Sequence, residues 1–270
     1  MLRKIFVAAA VAVAVAPVAM AQTTPAPVTT PATTPAPPPA PGATKAAPAA
    51  APVVATATMA DCTQTADRVK AIMACSGVIK DAGRDLTKLA PAYQARAAAA
   101  KAQGDLKAAF KDMSNALASD PKNAAFWVQR GEIRAALGQK IRSAADYSVA
   151  LRYDPKNLQA LLGRGEQYRL LGALPSAIKD ADEAIKLDPK SAPAYANRAY
   201  AAQRYGRDGE ALKDAEEAIK LDAKSALAYA ARGFAKLKTD KTAAVADLKK
   251  ALELDPKFTA VADALKKIGG

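Results

Sequence analysis

The sequence predicts an all-α chain built of about five tandem helix–turn–helix units. Three observations predict it. Asp-Pro recurs at Asp120-Pro121, Asp154-Pro155 and Asp188-Pro189, continues 34 residues on as Asp222-Ala223, and returns 33 residues later as Asp255-Pro256. Glycine recurs with the same period at Gly104, Gly138, Gly172 and Gly206. Small residues also hold fixed places in each period, which lets helices approach closely. A fixed period of this length is the mark of a repeat architecture. Glycine just past a helix end takes up the left-handed conformation at little cost, and proline stops a helix, so each unit reads as helix, Gly turn, helix, Asp-Pro turn.

The chain before the repeats is of another kind. Arg3 and Lys4 precede an uncharged apolar run from Ile5 to Ala16, and Ala19-Met20-Ala21 is a small-x-small cleavage pattern. This is the layout of an export signal over residues 1–21, and the run is too short for an ordinary membrane span. An uncleaved anchor is the alternative, against which Pro17 and the cleavage pattern argue. No cysteine follows the site, so nothing points to a lipoprotein. The expected location is the periplasm or the cell exterior, with no membrane span after cleavage. Residues 22–60 hold ten of the chain's 18 prolines, one charge (Lys45) and no aromatic residue. They cannot bury a core and read as a semi-rigid Pro/Ala/Thr linker. It is either a tether or a solvated leader. Of the 270 residues, only 61–270 are left to fold, as one domain.

Numbering each unit so that the Asp-Pro proline is position 32, the units start at Ala90, Ala124, Leu158, Ala192 and Ala226, with one deletion near Thr239-Asp240. Position 4 is large (Tyr93, Trp127, Leu161, Tyr195, Tyr229), position 8 is small (Ala97, Gly131, Gly165, Ala199, Gly233), and position 27 is Ala116, Ala150, Ala184, Ala218 and Ala251. Ala71-Ile72, Cys75 and Val78-Ile79 suggest the second helix of a degenerate half-repeat over 61–89. Residues 258–270, with Val261, Leu265 and Ile268 on one side, suggest a capping helix.

The large–small–Gly–Ala–Pro pattern, repeated five times at this period, resembles the tetratricopeptide repeat over residues 90–257. The resemblance implies a right-handed α–α superhelix whose concave groove, lined by first helices, binds peptides or protein surfaces. Position 11 departs from the family, with Ala100, Arg134, Ala202 and Lys236 beside the one aromatic, Tyr168. Position 20 departs once, at Ser143. Groove positions 2, 5, 6, 9, 12 and 13 carry over to Gln129 and Glu132, then to Gln159, Glu166 and Arg169. In the last two units they are Asn197, Tyr200, Gln203 and Arg204, and Phe234 and Lys238. Ala95, Ala98, Ala196 and Ala231 would floor the groove with small side chains. Asn and Gln suit an extended backbone, and Tyr200 and Phe234 are either anchors for a ligand or packing against neighbouring helices. The chaperone-binding type of the family grips a C-terminal carboxylate. Asn197 matches one of its positions, but Leu162, Glu166, Leu227 and Ala231 stand where its Lys, Asn and Arg belong, so that clamp is absent.

Position 7 is arginine throughout (Arg96, Arg130, Arg164, Arg198, Arg232), and position 23 is aspartate (Asp112, Asp146, Asp180, Asp214, Asp247). The two stand level within a unit, and also across the Asp-Pro turn to the next unit. Either pairing makes structural ion pairs; the alternative is a row of anion-binding arginines. Cys62 and Cys75 are expected to pair in an exported chain, with a turn before the second helix, or else to be two thiols, Cys75 filling the core.

The chain has no histidine, which excludes imidazole triads, imidazole metal sites and ordinary histidine acid–base catalysis. Two cysteines cannot make a Cys₄ zinc site. The carboxylates sit at repeating positions and read as architecture, so no enzyme, cofactor or metal is expected. Residues 61–270 carry 36 Lys and Arg against 26 Asp and Glu. That excess leaves a second reading, a binder of an anionic envelope polymer, although export argues against nucleic acid. N-terminal sequencing of the exported protein should begin at Gln22; a chain still starting at Met1 would mean an uncleaved anchor.

Overall fold

Helix ends fall where the sequence punctuates the chain. The computed structural model describes residues 57–64 and 66–269. The export signal, and the linker up to residue 56, lie outside the described residues. Among the described residues there is no strand, and the order is α1 (Met59–Gln64), α2 (Arg68–Ala82), α3 (Leu86–Ala102), α4 (Leu106–Ser119), α5 (Ala124–Ala136), α6 (Lys140–Tyr153), α7 (Leu158–Leu170), α8 (Leu174–Leu187), α9 (Ala192–Arg204), α10 (Asp208–Leu221), α11 (Ala226–Lys236), α12 (Lys241–Leu254) and α13 (Thr259–Ile268). Helices α3 to α12 form five antiparallel pairs, a tandem helical solenoid. Helices α5, α7, α9 and α11 start at the position-1 residues. Helix α3 starts four residues before Ala90, because Asp85 caps it by accepting the Thr87 N–H. Residues 86–89, expected in the half-repeat, are therefore the first turn of the first unit, and Met59 and Ala60, expected in the linker, open α1.

The turns follow from residue type. Gly104, Gly138, Gly172 and Gly206 have φ of 86°, 73°, 78° and 89°, where a side chain would be strained. The fifth unit lacks this glycine; its deletion shortens α11, and Asp240 closes the turn by donating its N–H to Lys236 and capping Ala243. At the Asp-Pro turns the aspartate N–H returns to the position-27 carbonyl. In the last four units its carboxylate accepts the N–H two residues on, at Lys156, Lys190, Lys224 and Lys257. The aspartate thus closes the turn, which is why Ala223 can stand where the others have proline.

The core is made largely of alanine. All five position-27 alanines are fully buried, as are Ala109, Ala177, Ala211 and Ala244 at position 20. Ser143 is buried in their place and donates its hydroxyl to the Gly131 carbonyl at 2.7 Å, so the substitution leaves no unsatisfied group. Position 8 is small because position 24 of the same unit can be large. A Cβ on Gly233 would meet Leu248 at 2.8 Å, and one on Gly131 would meet the Tyr147 ring at 2.9 Å. Tyr147 also lies against Gly163 of the next unit, where a Cβ would overlap the ring. Burial pushes the Tyr147 hydroxyl up, and the nearby Glu132 charge adds to it.

All five arginine–aspartate pairs form within their own unit. Each arginine donates through Nε and Nη2 to the two carboxylate oxygens, at 2.7 to 3.0 Å, in a bidentate fork. The aspartates are at most 12% exposed and the arginines at most 26%. An aromatic ring covers each guanidinium: Tyr93, Trp127, Tyr195 and Tyr229 from position 4, and Tyr168 in the third unit, where position 4 is Leu161. The link to the preceding repeat comes from another residue. Arg96 Nη1 reaches Ser76, Arg164 reaches Ser148 and Arg198 reaches Asp182. Both cations that replace the usual aromatic at position 11 join the same network, Arg134 binding Asp146 and Lys236 binding Asp247.

The half-repeat is α1 and α2, joined by a Cys62–Cys75 disulfide with Cα atoms 4.7 Å apart. At the other end, α13 buries Val261 and Leu265 and half-buries Ile268 against α9–α12.

Arg198→Ala should lower stability by about 3 kcal/mol in urea unfolding, because Asp214 is left charged and mostly buried. An unchanged midpoint would reduce the ladder to surface decoration. Gly163→Ala should cost on the order of 2 kcal/mol by overpacking. Tyr147→Leu in the same chain should recover part of that loss, a coupling absent if the two positions do not touch.

Candidate functional site

The first helices form one face. Consecutive first helices pack on each other from α5 to α7, α9 and α11, while α3 and α5 stand further apart. Spacing along this face decides where it is open. Between α9 and α11 it is closed: Tyr200 is 4% exposed and packs edge-on to Phe234 at 6.1 Å and tilted against Phe258 at 5.9 Å. Ala196 and Ala231 lie buried there. They let the helices close up rather than leave room for a ligand, and Tyr200 serves as packing, not as an exposed anchor. Ala95 and Ala98, by contrast, do line open space.

That space is a cleft of about 500 Å³ between α1, α3 and α5. Its walls include Met59 and Thr63 from α1, Pro91, Gln94 and Lys101 from α3, and Gln129 and Glu132 from α5. Lys101 Nζ donates to Glu132 Oε2 at 2.7 Å across the cleft.

A second cleft, of about 550 Å³, lies toward the other end, between α7, α9, the start of α11 and the α12–α13 turn. Glu166, Arg169, Tyr200 and Arg204 line it with Leu170, Leu227, Lys257 and Phe258. Arg169 is its centre. The side chain is 11% exposed, its guanidinium lies 5.1 Å over the Tyr200 ring, and Nε donates to Asn197 Oδ1 at 3.1 Å. Glu166 stands 4.0 Å away and is half exposed. Burial lowers the Arg169 pKa, nearby Arg204 lowers it further, and Glu166 and Tyr200 work against this.

The structure thus gathers Gln129 and Glu132 in one cleft, and Glu166, Arg169, Asn197, Tyr200 and Arg204 around the other. Gln159, Gln203 and Lys238 line neither, and Phe234 backs Tyr200. Gln94 and Lys101 were within reach of the repeat numbering, at positions 5 and 12 of the first unit. Lys257 and Phe258 were not, because they lie in the turn between the last repeat and the cap, outside the first helices. Among the described residues no group of three or more Cys, Asp or Glu is placed to hold a metal ion. No helix among them is long and apolar enough to cross a membrane.

Since Tyr200 fills the α9–α11 contact, Tyr200→Ala should destabilise the chain by about 3 kcal/mol in urea unfolding. A loss below about 0.5 kcal/mol, typical of surface sites, would place the ring on the surface instead.

The tetratricopeptide repeat family model matches residues 234–258. No curated protein matches the chain in sequence. Among solved structures, YrrB, described as a TPR protein with an unusual peptide-binding site, is 19% identical with a TM-score of 0.56, over 72% of this chain and 99% of its own. MamA is 22% identical with a TM-score of 0.55, over 64% of this chain and 96% of its own. TTC0263, a thermophilic TPR protein of Thermus thermophilus, is 18% identical with a TM-score of 0.52, over 66% of this chain and 98% of its own. Identities this low speak to architecture, and with the matched repeat and the five-fold helix pairs they make this chain a tetratricopeptide-repeat solenoid in fold.

Proposed function

We propose that this chain is an exported, non-enzymatic scaffold of the cell envelope, in the periplasm of a bacterium, that holds an extended peptide or a protein surface along its first-helix face. The observation that carries this reading is the coincidence of open space with groove positions. Positions 2, 5, 6, 9, 12 and 13 of first helices supply most of the lining of the first cleft and half of that of the second. Each holds hundreds of cubic ångströms; the first has mainly apolar walls with a few polar groups, as ligand sites do, and the second mixes polar and apolar walls about equally. Gln94 and Gln129 offer amides that can both donate to and accept from a peptide backbone. YrrB, of like fold, is described as having a peptide-binding site. Export is supported by the leader and by a disulfide, a bond that persists in oxidising compartments.

A photo-crosslinking residue placed at Gln94 or Gln129 in intact cells should form an adduct with a partner protein. One at Lys179, exposed on second helix α8, should not. Gln129→Ala should reduce capture several-fold with thermal melting unchanged. Adducts arising only from Lys179 would move the interaction to the second-helix face.

A further inference from the structure

We infer that the cleft bounded by α7, α9 and the α12–α13 turn binds the side-chain carboxylates of an acidic, partly apolar peptide segment. The inference deepens the proposed function and rests on it. Arg169 carries the argument. Its guanidinium is largely withdrawn from water, yet among the described residues it has no bidentate carboxylate partner. The five ladder arginines, less withdrawn than Arg169, each have one. What Arg169 has is a ring face, a neutral amide oxygen and a half-exposed glutamate at 4.0 Å. Burying a cation without such a partner is costly, and a second cation beside it adds to the cost.

Arg204 is that second cation. It is exposed, lines the same cleft from α9, and acts on Arg169 as a like charge. Lys257 lines the cleft from the α12–α13 turn. Of the two acids at the cleft, Asp255 is spent closing its turn, where it accepts the Lys257 N–H. Three cations on three separate elements suit several carboxylates along an extended chain better than one terminal carboxylate. Leu170, 43% exposed, with Leu227 and Phe258, supplies apolar wall for side chains between the acids. These cations stand at positions 12 and 13 and in the α12–α13 turn, not where the family's C-terminal clamp keeps its own. A carboxylate arriving between Arg169 and Arg204 would relieve the like-charge contact and meet donors already held in place, one by Asn197 and the Tyr200 ring.

The test uses the purified protein and fluorescent peptides alternating glutamate and leucine, blocked at both ends, with anisotropy as readout. The glutamate peptide should bind, and its glutamine counterpart at least tenfold more weakly. Arg204→Gln, at an exposed site, and Arg169→Gln should each weaken binding at least tenfold, while Lys179→Gln, exposed on α8 and outside both clefts, should change it less than twofold. Circular dichroism keeps the result readable if Arg169→Gln fails to fold, since Arg204→Gln then decides alone. Equal binding of the two peptides would overturn acid recognition. So would affinity for the glutamate peptide unmoved by Arg204→Gln. A glutamine peptide with a free C-terminus binding as well as the glutamate peptide would make a terminal carboxylate the ligand and overturn the side-chain assignment. Binding of polyphosphate through Arg204 without peptide binding would overturn it in favour of an anionic polymer. No peptide binding at all, alongside partner crosslinks from Gln94 and Gln129, would overturn this inference and leave the proposed function standing.

Discussion

The arginine–aspartate fork inside each helix pair is the constraint on which the rest of this solenoid depends. An alanine core brings helices close but buries little apolar area per residue, so on its own it fixes neither register nor rotation. The fork does both. Its two parallel hydrogen bonds form at one relative height of the two helices, and a covering ring holds the guanidinium plane. A buried ion pair is weak evidence for net stability; its strength lies in specifying one arrangement among several that alanine would tolerate. Through Ser76, Ser148 and Asp182 the same arginines reach the preceding repeat. Hairpin register and repeat stacking therefore share one side chain.

Much of this could be read from the sequence because it is written five times. The glycine and Asp-Pro marks placed the turns, and invariant Arg and Asp named the ladder. What the repeat could not decide was direction, since position 23 stands level with two arginines. Two apparent defects were also compensations. The missing aromatic at position 4 of the third unit, Leu161, is answered by Tyr168 one turn further from Arg164. Arg134 and Lys236, which replace the usual aromatic, bring a second cation to Asp146 and Asp247. Each compensation joins residues whose types look unrelated until the helix pair is folded.

The candidate site was less readable, for a physical reason. Whether a groove position faces a ligand or a neighbour depends on how closely adjacent first helices approach, and no single unit encodes that distance. Tyr200 and Gln129 occupy equivalent faces of their helices. Tyr200 is covered because Ala196 and Ala231 let α9 and α11 close up and because Phe258 arrives from the cap. Gln129 stays accessible because α3 and α5 stand apart. The side chains that complete each cleft, Met59 at one end and Lys257 and Phe258 at the other, lie outside the first helices of the repeats.

That placement explains why the open space lies toward the ends. In mid-array, each first helix is covered by the next. Toward either end a shorter, irregular element supplies part of the cleft wall. At the C-terminal end the wall is α13 and its turn, held by Val261 and Leu265 in a shared core. At the N-terminal end it is α1, six residues long, whose one buried side chain is Cys62. A helix that short has no independent stability in water. Its attachment rests on the bond to Cys75, worth on the order of 3 kcal/mol for a loop of this size, and on the close contact of Ala57 with Gly77. The shape of the N-terminal cleft is therefore tied to the oxidation state of one cysteine pair.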